Sequence, residues 1–479
     1  MLDFNYKVSS YRNKSEDEIT KDFEKVWLDD KVLAMQFLFF IRDREEGLGE
    51  RRLFRVIIKH LANTEPEMVK KVIPVIAEYG RYDDLLELFD TPLEDYTLFI
   101  IEEHLNEDLK NYVDGKPISL LAKWLPSINA SNREQKERAK KIIRYANGTE
   151  ESYRHMLSNL RKYIDVTERK MCANEWDEIK YENVPSRANL NYNDAFLRHD
   201  EERRRDFLDK VEKGEKKIHA GKLYPHDIVH KYMNNSWHTD VKVEDATLEE
   251  LWKALPPKEI GNTLVVADGS GSMTCAIGNT NTTALDVANS LAIYFAEHNE
   301  GQFKDKYITF SENPQYVDFK GCTSLHDKIS KALAYNEVAN TNIEKVFDLI
   351  LETAKKYNLA QEEMPDNIVI ISDMEFDSCA TSGNSNRWGR NKPNKKLFQE
   401  ISERYANAGY KLPRLVFWNV DSRTGTIPLK ENDLGVALVS GFSTNIAEMV
   451  MSSELDPFKV LLKKLETERY KKIAKILAD

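Results

Sequence analysis

Residues 262–273 read NTLVVADGSGSM, and the rest of the chain is organised around them. Thr263, Leu264, Val265, Val266 and Ala267 make a short apolar run rich in β-branched side chains. It stops abruptly at Asp268-Gly269-Ser270-Gly271-Ser272. Downstream, Leu285, Ala288, Leu291, Ala292 and Phe295 recur at helical spacing. The pattern predicts a buried strand, a tight glycine turn and then a helix. One carboxylate and two hydroxyls at alternate positions at the mouth of a strand can converge on a small hard cation, which takes oxygen ligands. The glycines let the backbone turn sharply enough to aim them.

The segment that follows repeats strand and helix. Residues 307–310 and 315–319 read as two strands joined by a Ser-Glu-Asn-Pro turn, and 327–336 as a helix. A second amphipathic helix carries Ile343, Val346, Phe347, Ile350 and Leu351. Asn367 to Ile371 (NIVII) is a second buried strand, Leu415 to Val420 (LVFWNV) a fifth and Val436 to Ser440 a sixth, with two helices closing the chain. Residues 377–393 are rich in Gly, Ser and Asn and read as a loop. Alternating strands and helices predict a doubly wound parallel sheet whose site lies at the carboxyl ends of the strands.

Upstream the pattern is helical from residue 17 to about 147. Ile19, Phe23, Val26 and Trp27 share a face, LAMQFLFFI at 33–41 is a buried helix, and Pro74 interrupts the amphipathic stretch 68–79. Paired helices with short connections point to an α-solenoid of the HEAT type. Residues 153–172 carry six basic side chains interleaved with two tyrosines, and the polar, aromatic passage 173–199 suits either a functional surface or a buried loop. The run 198–222, with nine basic and seven acidic residues, reads as a solvated helix. The expected division is an arm at 1–16, a helical domain at 17–233, a linker at 234–258 and an α/β domain at 259–479.

Composition bounds the function. The 479 residues carry a net charge of −11, which excludes a uniformly basic nucleic-acid coat and confines any RNA contact to local patches. No apolar run approaches the ~18 residues of a membrane span. The four scattered cysteines form no C-x-x-C pair, as expected of a reducing, cytoplasmic compartment without structural zinc. Cys275 lies near the glycine turn but is a poor ligand for magnesium, which prefers oxygen.

The D-x-S-x-S run resembles the metal-ion-dependent adhesion site of von Willebrand factor A domains. That resemblance implies two further ligands, a Thr on a later loop and an Asp closing a later strand. Thr341, just before the Ile343 helix, matches the first, and Asp373, just after NIVII, matches the second. The implied cofactor is Mg2+ or another divalent cation held by Asp268, Ser270, Ser272, Thr341 and Asp373.

Together with IRDREEGLGERRLF (41–54), IAEYGRYDDLLEL (76–88) and KWLPS (123–127), the motif resembles the Ro autoantigen, or TROVE, family, in a Ro-like branch. The resemblance implies a HEAT-like ring closed by the A domain, binding small structured or single-stranded RNA. The residue types suited to phosphate are Arg42, Arg44, Arg51 and Arg52 in one cluster and Lys123, Arg161, Lys162, Arg169, Lys170 and Arg187 in another. A second expectation is a protein-interaction module in which an acidic side chain of a partner completes the cation's shell. No base or nucleophile motif points to an enzyme, and a monomer is expected.

Overall fold

The computed structural model describes residues 1–234, 240–257, 261–277, 280–335, 342–373, 395–420, 436–440 and 456–478. They form two compact units, Met1–Ser15 with Lys210–Lys464 and Glu16–Asp209 with Leu465–Asp479.

The first unit is built on six strands: β1 (Thr263–Asp268), β2 (Lys306–Phe310), β3 (Tyr316–Asp318), β4 (Asn367–Ser372), β5 (Arg414–Asn419) and β6 (Val436–Ser440). Their order across the sheet is β3-β2-β1-β4-β5-β6. All neighbours are parallel except β2 and β3. β1 and β4 are buried at every position, as expected of parallel strands covered on both faces. Period-two alternation divides their side chains. Leu264, Val266, Ile368, Ile370, Leu415 and Phe417 join one core with the helices Ile343–Tyr357 and Lys395–Asn407. On the other parity, Trp418 meets Phe295 of the helix Ala284–His298, with ring centroids 6.0 Å apart. The strand order reverses between β1 and β4, and in open α/β sheets the crevice at that reversal is where ligands bind.

The second unit is helical. Asp30 caps Lys31–Arg42 by accepting from the Leu33 amide at 2.9 Å. Pro66 opens Pro66–Val72, and Pro74 falls in the 3-10 turn Ile73–Val75. Helices here run from 4 to 20 residues. Phe39 makes edge contacts with Phe54 and Tyr79 at 5.7 and 4.9 Å. No described helix is long and apolar enough to cross a membrane.

Three departures from the expected division have physical causes. The amino-terminal residues are not an arm. Phe4, Tyr6, Val8 and Tyr11 are buried in the sheet unit, and the Asn419 amide at the end of β5 donates to the Tyr6 carbonyl at 3.3 Å. The helix Pro225–Tyr232 packs on Ala284–His298 within the sheet unit rather than closing the helical one. Finally, the helix Glu468–Ala478 completes the helical unit. There Arg469 forms a double hydrogen bond to Asp43 at 2.5 and 2.9 Å, and the Tyr470 hydroxyl donates to the same carboxylate at 2.8 Å. Asp43 is fully buried, and these donors compensate its charge.

Candidate cation site and basic surface

β1 delivers Asp268 to the carboxyl edge of the sheet, where its side chain is 2% exposed. The turn that follows folds back on it, with the Ser270 amide donating to Oδ1 at 2.9 Å. Parallel pairing of Ala267 with Ile371 sets Ser372 opposite Asp268, and the Ser372 hydroxyl donates to Oδ2 at 2.7 Å. Asp373 is the next residue and is also 2% exposed. The half-buried hydroxyls of Ser270 and Ser272 lie 3.1 Å apart.

Burial pushes the Asp268 carboxyl up to about 6. Hydrogen bonds from Ser372 and Ser270 oppose the rise, and the neighbouring charge of Asp373 adds to it. Asp268 has no ion pair among the described residues. A divalent cation would offset this repulsion, and the donors brought together are all oxygen, which suits Mg2+ or Ca2+ rather than a thiophilic metal. Among the described residues no group of three His, Cys, Asp or Glu side chains could hold a metal, so a site here depends on the serine hydroxyls. Of the expected ligands the structure brings together Asp268, Ser270, Ser272 and Asp373. Thr341 and the 377–393 loop lie outside the described residues. Asn342, beside Thr341, caps the Ile343–Tyr357 helix through the Lys345 amide at 3.0 Å. Sequence reasoning missed Ser372. Its position directly before Asp373 was the available signal, but its role needs the strand register.

The expected basic clusters divide sharply. Arg42 is 4% exposed and paired at 2.7 Å with Asp84, itself fully buried, so it is a structural ion pair rather than a phosphate contact. Arg161 is likewise structural, donating to the Ala122 and Leu125 carbonyls and the Ser127 hydroxyl, all at 2.8 Å. Lys170 is buried and donates to the Glu178 carbonyl. Arg169 pairs with Glu175 at 2.7 Å, and Lys123 lies 3.9 Å from Glu168. Arg44 is half-buried. Arg51, Arg52, Lys162 and Arg187 are exposed.

The passage 173–199 is not a loop but a series of short helical turns, among them Ser186–Asn191 and Asn193–His199, which bury Tyr181, Asn189 and Phe196 and leave Arg187 exposed, and the run after it is not wholly solvated. Arg204 is fully buried, donates to Asn189 at 3.0 Å and lies 5.1–5.5 Å from the rings of Tyr181, Phe196 and Phe207. Burying a guanidinium requires partners for it, and the asparagines and rings of this passage supply them.

These features define an α/β unit with an oxygen-donor cluster at its switch point, joined in one chain to a helical unit. Two family models match the chain, both described as domains of unknown function: DUF2828 over residues 97–256 and DUF7788 over 262–475. The uncharacterized protein L728 of Acanthamoeba polyphaga mimivirus is 28% identical over 508 residues, covering 97% of this chain and 84% of that protein. The crystal structure of the Deinococcus radiodurans Ro (RSR) protein aligns with a TM-score of 0.46 at 13% identity, covering 92% of this chain and 97% of that one.

Proposed function

We propose that this chain is a Ro-like RNA-binding protein. In this reading the helical unit contacts RNA, and the sheet unit is a von Willebrand A-type domain holding Mg2+ or another divalent cation through Asp268, Ser270, Ser272, Thr341 and Asp373. The observation that carries the cation half is the meeting of Asp268 with Ser372 and Asp373 where the strand order reverses. The RNA half rests on the sequence likeness to the Ro family and on the exposed Arg51, Arg52, Lys162 and Arg187. The test is crosslinking of the tagged protein in its native cell followed by sequencing of bound RNA, with Arg51→Glu/Arg52→Glu as the control. A discrete set of RNAs, lost in the control, is expected; background RNA alone overturns this half.

A second reading is favoured by the consumption of Arg42, Arg161 and Lys170 in internal contacts, which shrinks the basic surface. The chain is then a cation-dependent protein-binding module, with an acidic side chain of the partner on the cation. It predicts a partner captured in Mg2+, released by chelator and indifferent to Arg51→Glu/Arg52→Glu.

A further inference from the structure

The Asp268 carboxylate is held on both oxygens. The turn after it supplies the Ser270 amide to Oδ1 at 2.9 Å, and the neighbouring strand β4 supplies the Ser372 hydroxyl to Oδ2 at 2.7 Å. The first donor lies 2 positions away in the chain and the second 104, so two separate segments fix the carboxylate between them. Ser372 is fully buried and Asp268 is 2% exposed, so water hardly competes for the bond that joins them. The sheet also holds the donor itself in place. Ser372 pairs in register with Asn419 of β5, and its carbonyl accepts from the Val420 amide at 3.1 Å. The serine backbone therefore cannot follow the carboxylate if the carboxylate turns.

Divalent cations differ in what they require of a carboxylate. Ca2+ takes about six to eight oxygens in flexible geometry and accepts one or both oxygens of a carboxylate, whereas Mg2+ demands a near-ideal octahedron, keeps several waters and uses few protein ligands. Of the expected ligands, Ser270, Ser272 and Thr341 offer one side-chain oxygen each, so Asp268 and Asp373 are the two that can offer a pair. An ion gripped by both oxygens of Asp268 would share Oδ2 with the Ser372 proton, or the carboxylate would turn and give that bond up. We infer that Ser372 is a specificity-determining residue of the cation site: by holding Oδ2 it keeps Asp268 a one-oxygen ligand and makes the site prefer Mg2+ to Ca2+. Ser372 acts through Asp268, as a positioning residue, and the inference rests on the cation reading above.

The test is isothermal titration calorimetry of the full-length protein, freed of metal, with Mg2+ and with Ca2+ separately. The parent is expected to bind Mg2+ more tightly than Ca2+. In Ser372→Ala the ratio of the two affinities should move toward Ca2+ by about tenfold, the weight of one charge-assisted hydrogen bond. Ser372→Cys keeps nearly the same volume with only a weak donor and should move the ratio the same way, which covers the case of a poorly folded alanine variant. Ser372→Thr restores the hydroxyl and should restore the preference. A purely structural role for Ser372 would weaken both cations alike and leave the ratio where it was. A parent that prefers Ca2+, or a ratio that stays put in Ser372→Ala and Ser372→Cys, overturns the inference and leaves the cation reading standing. If the parent binds neither cation, or Asp268→Asn binds both as the parent does, the cation reading itself falls and the inference falls with it.

Discussion

Replacing Asp268 by Asn should stabilise the metal-free protein. The reasoning starts from burial: the carboxyl is 2% exposed and its titration is raised from 3.8 to about 6. At about 1.4 kcal/mol per pH unit, holding it ionised at neutral pH costs the folded state about 3 kcal/mol, an upper figure because the sheet edge can relax. The folded value lies above the unfolded one, so the metal-free protein loses stability as pH rises from about 4 to about 6, and the full penalty is present above that. Asparagine carries no charge at any of these pH values. It keeps an oxygen for the Ser270 amide and an amide group that the Ser372 hydroxyl can accept from. In chelator at about pH 7.5, Asp268→Asn should therefore raise the melting temperature of the sheet unit by on the order of 5–10 °C, and the gain should vanish near pH 4. Added Mg2+ should reverse the ranking, because a ligand that binds only the folded state stabilises it, and the variant has lost the central ligand. The assay is differential scanning fluorimetry across pH, with and without Mg2+. A destabilised Asp268→Asn in chelator would refute the account of Asp268 as a buried charge awaiting a cation. Equal Mg2+ stabilisation of both proteins would place the cation elsewhere.

Three further outcomes concern the frame. Asp43→Ala strands the buried Tyr470 hydroxyl and the half-buried Arg469, and should cost the helical unit about 3–5 kcal/mol in urea unfolding. Deleting residues 1–15 withdraws Phe4, Tyr6, Val8 and Tyr11 from the sheet unit. At about 1.5–3 kcal/mol for each buried side chain, this should make the sheet unit, and not the helical one, sensitive to limited proteolysis. Gly80→Ala places a methyl group against Asp84 and 2.9 Å from the Arg42 Nε, within a pair that has no room to shift. A loss of about 1–3 kcal/mol is expected, read as a lower urea midpoint with an unchanged slope.

The sheet was legible because its signals are local. A run such as NIVII, buried on both faces, needs no knowledge of its neighbours, and D-x-S-x-S names three donors within five residues. The hydrogen bond from Ser372 to Asp268 spans 104 positions and exists only once the register of β4 on β1 is set. The basic residues were misread for the same reason. Arginine announces a charge but not its partner, and Asp84, which takes Arg42 out of any RNA surface, lies 42 positions away. Arg204 could not be read as buried from a stretch of alternating charge, because apart from Phe207 on its own helix the groups that solvate it, Asn189 and the rings of Tyr181 and Phe196, belong to other short elements.

The exchange of the two chain ends is the extreme case. Glu468–Ala478 has the pattern of any amphipathic helix, with Tyr470, Ile473 and Leu477 on one face, and nothing in that pattern says which unit the face will cover. What decides is Asp43, 426 positions upstream, a carboxylate that burial makes costly unless Arg469 and Tyr470 arrive. The same logic runs at the other end, where the Asn419 amide closes on the Tyr6 carbonyl across 413 positions. Each unit is thus completed by the end of the chain that sequence order assigns to the other. A cut between residues 209 and 210 leaves the helical piece without the donors for Asp43 and the sheet piece without Phe4, Tyr6, Val8 and Tyr11. Experiments on the cation or on RNA therefore belong on the full chain, since a piece that fails to bind would report a lost fold rather than a lost site.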